Sequence, residues 1–173
     1  MVDAARYSAV ELLRDGQKVE IRALRPDDRA GLRSAVDRSS TQSLQRRFFA
    51  VRRDFTESEI AFFLNVDFVT HVALVAAAEE DGRPVIVGGG RYIVFAPGRA
   101  EVAFALMDEW QGRGIGAALM RHLAGIARAA GLKELIAEVL PENIPMLKVF
   151  EKSGLHLGIR REPQVVHVTL RLC

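Results

Sequence analysis

The chain has 173 residues, 49% of them apolar and 27% charged, and its formal net charge is only +2. This length and composition are typical of one globular domain of about 150 residues, which excludes a disordered tail, a collagen and a coiled coil and gives no argument for nucleic acid. The absence of a long apolar run, the charged N-terminal region and a single terminal cysteine, Cys173, predict a cytoplasmic protein without a membrane span, an export signal or a disulfide framework.

The first third of the chain predicts one strand followed by helices. Residues Lys18–Ala23 alternate apolar and charged side chains, as a half-buried strand does. Arg25-Pro26-Asp27-Asp28 then places a proline and two acids where a helix begins, and we expect that helix to reach about residue 36. Two further helices are predicted, one over residues 42–49 and one from Thr56, where a capping-box spacing precedes an apolar run.

The middle of the chain predicts three consecutive antiparallel strands. They are rich in Val, Ile, Ala and Phe, and the turn sequences Asp81-Gly82 and Pro97-Gly98 separate them. The three strands cover residues 71–78, 84–95 and 99–107. The run Gly88-Gly89-Gly90 inside the second strand predicts a bulge or a close approach of another backbone.

The last third predicts two helices and three further strands. An amphipathic helix begins at Ile115 and ends at Gly131, because its apolar residues recur at helical spacing up to that glycine. The elements after it are a strand over 135–140, a helix over 143–152 and strands over 155–160 and 164–172. Together the elements predict a single α+β domain, a mostly antiparallel seven-stranded sheet flanked by helices. We assign residues 18–173 to this domain and residues 1–17 to an N-terminal extension.

The turn between the third middle strand and the amphipathic helix is the strongest functional signal. Gly112-Arg113-Gly114-Ile115-Gly116-Ala117 opens a helix, whose first N–H groups attract an anion that glycines allow to come close. A nucleoside triphosphate loop requires Gly-Lys-Ser/Thr, which does not occur in the chain. The dinucleotide-binding pattern G-x-G-x-x-A is satisfied by Gly112, Gly114 and Ala117. However, antiparallel hairpins precede this turn, and too few residues follow it for a dinucleotide-binding fold.

The segment Gln111-Gly112-Arg113-Gly114-Ile115-Gly116 resembles the Q/R-x-x-G-x-G/A pyrophosphate loop of the Gcn5-related N-acetyltransferases (GNAT). The order of predicted elements over residues 19–172 is also similar to that family. The resemblance implies a GNAT fold and acetyl-CoA as the acyl donor. The four histidines of the chain show no metal-ligand spacing, so we expect no metal.

The resemblance also implies which residues hold acetyl-CoA. The strand before the loop splays from its neighbour in this family, so the backbone of Leu106, Met107 and Asp108 would pair with the pantetheine arm. The N–H groups of residues 112–117 would hold the pyrophosphate, and Asn143 would lie near the thiol or cap the helix that follows it. The implied cofactor site is Leu106, Met107, Asp108, Gln111, Gly112, Arg113, Gly114, Ile115, Gly116, Ala117 and Asn143.

Transfer of an acetyl group to an amine requires a base, since an ammonium has no lone pair. Our candidate is Glu101, because the same strand face continues with the small residues Ala103 and Ala105, which leave room for a substrate. The alternative for Glu101 is an ordinary surface carboxylate. Phe150 stands where many members of the family carry a tyrosine that protonates the leaving thiolate, so we nominate no general acid.

The strand segment Ala100-Glu101-Val102-Ala103-Phe104 and residues 43–49 look like segments of the bacterial protein lysine acetyltransferases of the Pat type. This resemblance implies a lysine of a protein such as acetyl-CoA synthetase as acceptor, and a regulatory domain or protein outside this chain. The nearly neutral charge and the lack of a long apolar run predict no nucleic-acid or membrane partner. Two alternatives stay open. One is acetylation of a small amine, such as a polyamine, an amino acid or an aminoglycoside, and the other is a non-catalytic domain that senses acyl-CoA.

Overall fold

The computed structural model of the protein describes residues 3–32 and 66–172. A 3-10 turn at Pro26–Asp28 leads into a helix at residues 29–32, where the sequence predicts a helix start. The rest of that helix and the helices predicted over 42–49 and from Thr56 lie outside the described residues.

Eight strands form one mixed sheet in the order β1-β2-β3-β4-β5-β6-β8-β7. Every neighbouring pair is antiparallel except β5 and β6, which are parallel. The strands are β1 (Ser8–Leu12), β2 (Lys18–Ala23), β3 (His71–Glu80), β4 (Arg83–Ala96), β5 (Arg99–Leu106), β6 (Glu134–Val139), β7 (His156–Arg161) and β8 (Val166–Arg171). The predicted α+β fold around a mostly antiparallel sheet is therefore confirmed.

The sheet has one strand more than the seven predicted, and the additional strand is β1. This strand lies within residues 1–17, which the sequence analysis set apart as an extension, and it pairs along its length with β2. Its alternation is inverted, because the apolar Val10 and Leu12 are exposed while Glu11 is half-buried. An edge strand with this pattern does not carry the apolar face from which strands are recognised.

Within residues 66–172, two α-helices pack on the sheet, α1 (Ile115–Ala129) between β5 and β6 in the chain and α2 (Ile144–Glu151) between β6 and β7. The apolar face of α1 is buried against the sheet, as the periodicity predicted. Its fully buried large side chains are Ile115, Leu119, Met120 and Leu123. Among the described residues, no helix is long and apolar enough to cross a membrane.

The glycine run of β4 lies where neighbouring atoms leave no room for a side chain. A Cβ at Gly90 would be 2.5 Å from the Phe104 ring, and one at Gly88 would be 2.3 Å from the Leu106 side chain. The β3–β4 register also shifts between Ala76 and Ala77, which leaves Val87 as the extra residue of a bulge. The predicted bulge is confirmed. The close approach of another backbone is confirmed as well, since a Cβ at Gly88 would be 2.8 Å from the Ala105 carbonyl oxygen and one at Gly89 would be 2.9 Å from that of Leu74.

A nearly buried ion pair joins β2 to the turn that starts the first helix. Both terminal nitrogens of Arg22 donate to the Asp28 carboxylate at 2.8 Å, and the Arg25 N–H donates to it at 2.7 Å. Burial by itself raises the pKa of Asp28, but these hydrogen bonds outweigh it and the pKa is lowered. The pair therefore stabilises the fold only while Asp28 is ionised.

Replacing Asp28 with asparagine is expected to lower the free energy of unfolding by about 3 kcal/mol at neutral pH, because the Arg22 guanidinium stays largely buried without its counter-charge. Because the native pKa of Asp28 is lowered, this stabilisation is present above the unfolded pKa and is lost as the pH falls through the native pKa. Urea denaturation between about pH 7 and pH 2 measures the effect, with the exposed Asp27→Asn as a control in the same turn. If the difference in the free energy of unfolding between wild type and Asp28→Asn did not shrink at low pH, the loss of stability would come from altered packing at residue 28 and not from the lost charge.

Candidate active site

Strands β5 and β6 separate within the sheet. Their parallel pairing covers only Arg99–Glu101 opposite Glu134–Ile136. Beyond this point β5 continues to Leu106 against β4 alone, while β6 continues against β8. The sheet therefore opens into a V-shaped gap that begins directly after Glu101.

Backbone hydrogen bonds show which groups face this gap. The Met107 N–H donates to the Val87 carbonyl at 2.9 Å, and the Met107 carbonyl accepts from the Trp110 N–H at 2.9 Å. Successive residues of a strand direct their backbone N–H and C=O groups to opposite sides. The backbone N–H and C=O of Leu106 are therefore directed to the gap. The Leu106 carbonyl accepts from the Gln111 side-chain amide at 3.3 Å. Of the predicted pantetheine-binding residues, Met107 therefore has both backbone groups engaged within the chain.

The glycine turn at the start of α1 forms a cradle for an anion. Gly112 and Gly114 have φ angles of +76° and +94°, and Gly114 is the N-cap of the helix. The first helical hydrogen bond runs from the Ala118 N–H to the Gly114 carbonyl, so the N–H groups of residues 115–117 precede it. A Cβ built at Gly112 or Gly114 meets no atom within 4 Å, so the space beside both glycines is open. A phosphate group fits this cradle.

The gap and the cradle belong to one cavity of about 430 Å³. Its apolar and glycine-rich lining comes from β5, the glycine turn and α2. The lining residues are Phe104, Ala105, Leu106, Gln111, Gly112, Gly114, Gly116, Ala117, Asn143, Ile144, Pro145, Met146 and Val149, together with the cations Arg14, Lys148 and Lys152. A molecule with an elongated apolar arm and a phosphate end fits such a cavity.

The three cations of the lining were not predicted. Lys148 lies on α2 and Lys152, four residues later, is its C-cap, so this helical spacing was a signal that could have been noticed. Arg14 lies in the turn between β1 and β2, far from the glycine turn in sequence, and no local pattern indicates that it reaches the cavity.

Arg113, one of the residues of the implied cofactor site, is not among the residues that line the cavity. Its Nη1 lies 3.3 Å from Oε1 of Gln17 and 3.7 Å from Oδ2 of Asp15. The guanidinium also lies over the Trp110 ring, 4.6 Å from the ring centroid. The charge of Arg113 is therefore directed to the β1–β2 turn, although its backbone stays in the cradle.

Asp108 begins a 3-10 turn, Asp108–Trp110, that connects β5 to the cradle.

Asn143 is buried and caps α2, since its Oδ1 accepts from the Met146 N–H at 3.3 Å. The capping role predicted for Asn143 is confirmed. The same residue also lines the cavity, so the helix cap and the cavity wall coincide at this position.

Glu101 occupies the point where β5 and β6 part. It opposes Ile93 of β4 and Ile136 of β6, and its side chain is exposed. The exposed or half-exposed residues Ala103 and Ala105 continue the same face toward the cavity, while Ala100 and Val102 are buried on the other face. Glu101 itself does not line the cavity; it stands at the vertex of the V-shaped gap.

Phe150 is buried rather than directed to the cavity. Its ring packs against Phe104, with 6.0 Å between the ring centroids. Phe104 in turn lines the cavity, so Phe150 supports the wall but supplies no group that donates a proton.

The acetyltransferase (GNAT) family model matches residues 37–155, which is more than half of the chain. The acetyltransferase PA5475 of Pseudomonas aeruginosa is 35% identical over 127 residues, which are 73% of this chain and 68% of that protein. The acetyltransferase Pat of Mycolicibacterium smegmatis is 30% identical over 144 residues, or 82% of this chain and 42% of that protein. The chain thus spans less than half the length of Pat.

Among solved structures, the GNAT domain of S. lividans PAT superposes with a TM-score of 0.85 at 34% sequence identity. The match covers 95% of this chain and 96% of that domain. The superposition therefore includes nearly the full length of both chains.

Proposed function

This chain belongs to the acetyltransferase (GNAT) family and is an acetyl-CoA-dependent N-acetyltransferase, and we propose that its acceptor is the ε-amino group of a lysine in a protein such as acetyl-CoA synthetase. The observation that carries the proposal is the end-to-end match, at 34% identity, to the GNAT domain of a PAT. The Pat-like strand around Glu101, placed where β5 and β6 part, supports the same acceptor.

The cavity suits acetyl-CoA in shape and polarity. We assign the diphosphate to the N–H groups of residues 112–117, since the open space before Gly112 and Gly114 accepts a group that a side chain would exclude. We assign the pantetheine arm to the gap beside Leu106, and the thioester end to the part of the gap between Phe104 and Asn143. Acetyl-CoA supplies an activated acetyl group, and the chain supplies its orientation.

We infer that Glu101 acts as the general base. Its carboxylate removes a proton from the lysine ammonium, and the resulting lone pair attacks the thioester carbonyl carbon. A carbon–nitrogen bond forms, the carbon–sulfur bond breaks, and the sulfur leaves as a thiolate. The nitrogen gives up its second proton as the amide forms. Because Phe150 cannot donate a proton, the thiolate takes a proton from water, and the proton from the nitrogen neutralises the hydroxide that this leaves. Glu101 then returns its proton to the solvent. The products are an acetylated lysine and coenzyme A.

The acceptor is tested by incubating the purified protein with radiolabelled acetyl-CoA and a cell lysate. We expect label in acid-precipitable protein, and acetyl-lysine at defined sites by mass spectrometry. A matched reaction with polyamines, amino acids and aminoglycosides in place of the lysate tests the small-amine alternative. Label found only in the small amines would overturn the protein acceptor, and binding of acetyl-CoA without transfer to any amine would favour a sensor.

The remaining parts of the proposal concern the surroundings of the domain. The part of Pat that this chain does not match supports a regulatory domain or protein outside these 173 residues. A cytoplasmic location stays a prediction from the sequence.

A further inference from the structure

The turn between β1 and β2 contributes a cation to the cavity from a distant part of the chain. Arg14 lies in this turn and lines the cavity, whereas the other lining residues that the structure describes fall between residues 104 and 152. No aspartate or glutamate is among these lining residues, so the described wall has a net positive charge. The N-terminal hairpin is thus part of the site rather than an appendage to the sheet.

Arg14 is held in a closed turn. The Leu13 N–H donates to the Gln17 carbonyl at 2.8 Å, and the Gly16 N–H donates to the Leu13 carbonyl at 2.9 Å. The Asp15 carboxylate accepts from the Gln17 N–H at 2.9 Å, and Leu13 is buried in the core. The backbone that carries Arg14 is therefore fixed by hydrogen bonds and by packing.

The hairpin is also fastened to α1, the helix that begins at the glycine turn. Oε1 of Glu11 lies 2.6 Å from Nε2 of His122 and 3.3 Å from Nη1 of Arg121, and the Tyr7 hydroxyl bonds to the other ring nitrogen of His122. At the start of the helix, Arg113 contacts Gln17 and Asp15. Strand β1 therefore contacts the middle of α1, and the β1–β2 turn contacts the residue just before its N-cap. These contacts hold the turn that carries Arg14 beside the glycine turn.

We propose that Arg14, rather than the side chain of Arg113, is the arginine that binds the diphosphate of coenzyme A at the glycine turn. The inference rests on the proposed function, because it requires coenzyme A in the cavity. Arg113 directs its charge to Asp15 and Gln17 and stacks on Trp110, whereas Arg14 lines the cavity. A guanidinium forms charge-assisted hydrogen bonds with phosphate oxygens, and these would add to the hydrogen bonds from the helix N–H groups.

Isothermal titration with coenzyme A tests the assignment. Arg14→Ala is expected to weaken binding about tenfold, and Arg14→Lys, which keeps the charge but not the planar fork, to weaken it less. Lys18→Ala is the matched control, because it removes an exposed cation from the same hairpin outside the cavity lining. It should bind within about twofold of wild type, as expected for a distant screened charge. Thermal melting of each variant checks the fold, and wild-type affinity in Arg14→Ala would overturn the proposal.

Two analogues identify the phosphate concerned. Dephospho-coenzyme A keeps the diphosphate and lacks the 3′-phosphate, so the loss caused by Arg14→Ala should be as large as with coenzyme A. Pantetheine has no phosphate, so Arg14→Ala should bind it as wild type does. A loss with coenzyme A alone would place Arg14 at the 3′-phosphate and contradict our assignment. Failure of the wild-type protein to bind coenzyme A would instead count against the proposed function.

Discussion

Replacing Gly114 with aspartate is expected to abolish binding of acetyl-CoA, with the affinity falling by roughly 100-fold or more. Gly114 has a φ of +94° and lines the cavity at the start of α1, and a Cβ built there meets no atom within 4 Å. An aspartate would fill the cradle, repel the diphosphate and add backbone strain of about 1–3 kcal/mol. Isothermal titration with acetyl-CoA measures the loss.

Two further variants separate the causes of that loss. Gly125→Asp adds the same side chain to the exposed face of the same helix, where a Cβ meets nothing within 4 Å, and should bind acetyl-CoA as wild type does. Gly114→Ala adds the strain without the charge, so it should lose thermal stability but keep more of its affinity than Gly114→Asp. Unchanged affinity in a folded Gly114→Asp protein would rule out the glycine turn as the diphosphate site.

Replacing Glu101 with glutamine is expected to lower turnover by roughly 10²–10⁴-fold, the usual contribution of a general base. Glutamine keeps the shape of the side chain but does not accept the proton of the ammonium. Because Glu101 does not line the cavity, the affinity for acetyl-CoA should stay within about threefold of wild type. Steady-state kinetics with the acceptor found in the labelling experiment, together with titration of acetyl-CoA, measure the two effects.

The control for this variant is Glu79→Gln, which neutralises another exposed glutamate of the sheet, at the end of β3 and outside the cavity lining. Its turnover should equal that of wild type. Glu101→Asp keeps a carboxylate on a shorter side chain and should retain more activity than Glu101→Gln. Wild-type turnover in Glu101→Gln would exclude this residue as the base and return it to an ordinary surface carboxylate.

Several features of the site could be predicted from local sequence because they depend on backbone conformation. The glycines at 112 and 114 indicate a backbone that other residues rarely adopt, and both have positive φ angles. Asn143 before a helical segment predicts a cap, which the structure confirms. The glycine run of β4 predicts a close approach of another chain segment, because only glycine lacks the Cβ that would prevent it. Atoms of the neighbouring strands do lie where a Cβ would be. In each case the signal and the structure lie within a few residues of each other.

Strand β1 and the roles of Arg14 and Arg113 could not be predicted in this way. The exposed Val10 and Leu12 of β1 invert the usual alternation, so only its pairing with β2 identifies it as a strand. Either arginine could have faced the cavity. Which one does so depends on the contact of Arg113 with the turn around Gln17, and that contact joins residues 96 positions apart in the chain.

The sequence by itself determined the α+β class, the anion cradle at the start of α1 and the likeness to the GNAT family. These follow from short-range patterns, in which neighbouring residues set the backbone angles and the apolar face of each element. Only the tertiary structure decided that β5 and β6 part directly after Glu101 and that Arg14 of the N-terminal hairpin lines the cavity. Strand order and register arise from the packing of the whole core, so contacts between distant segments have no local signature from which to be predicted.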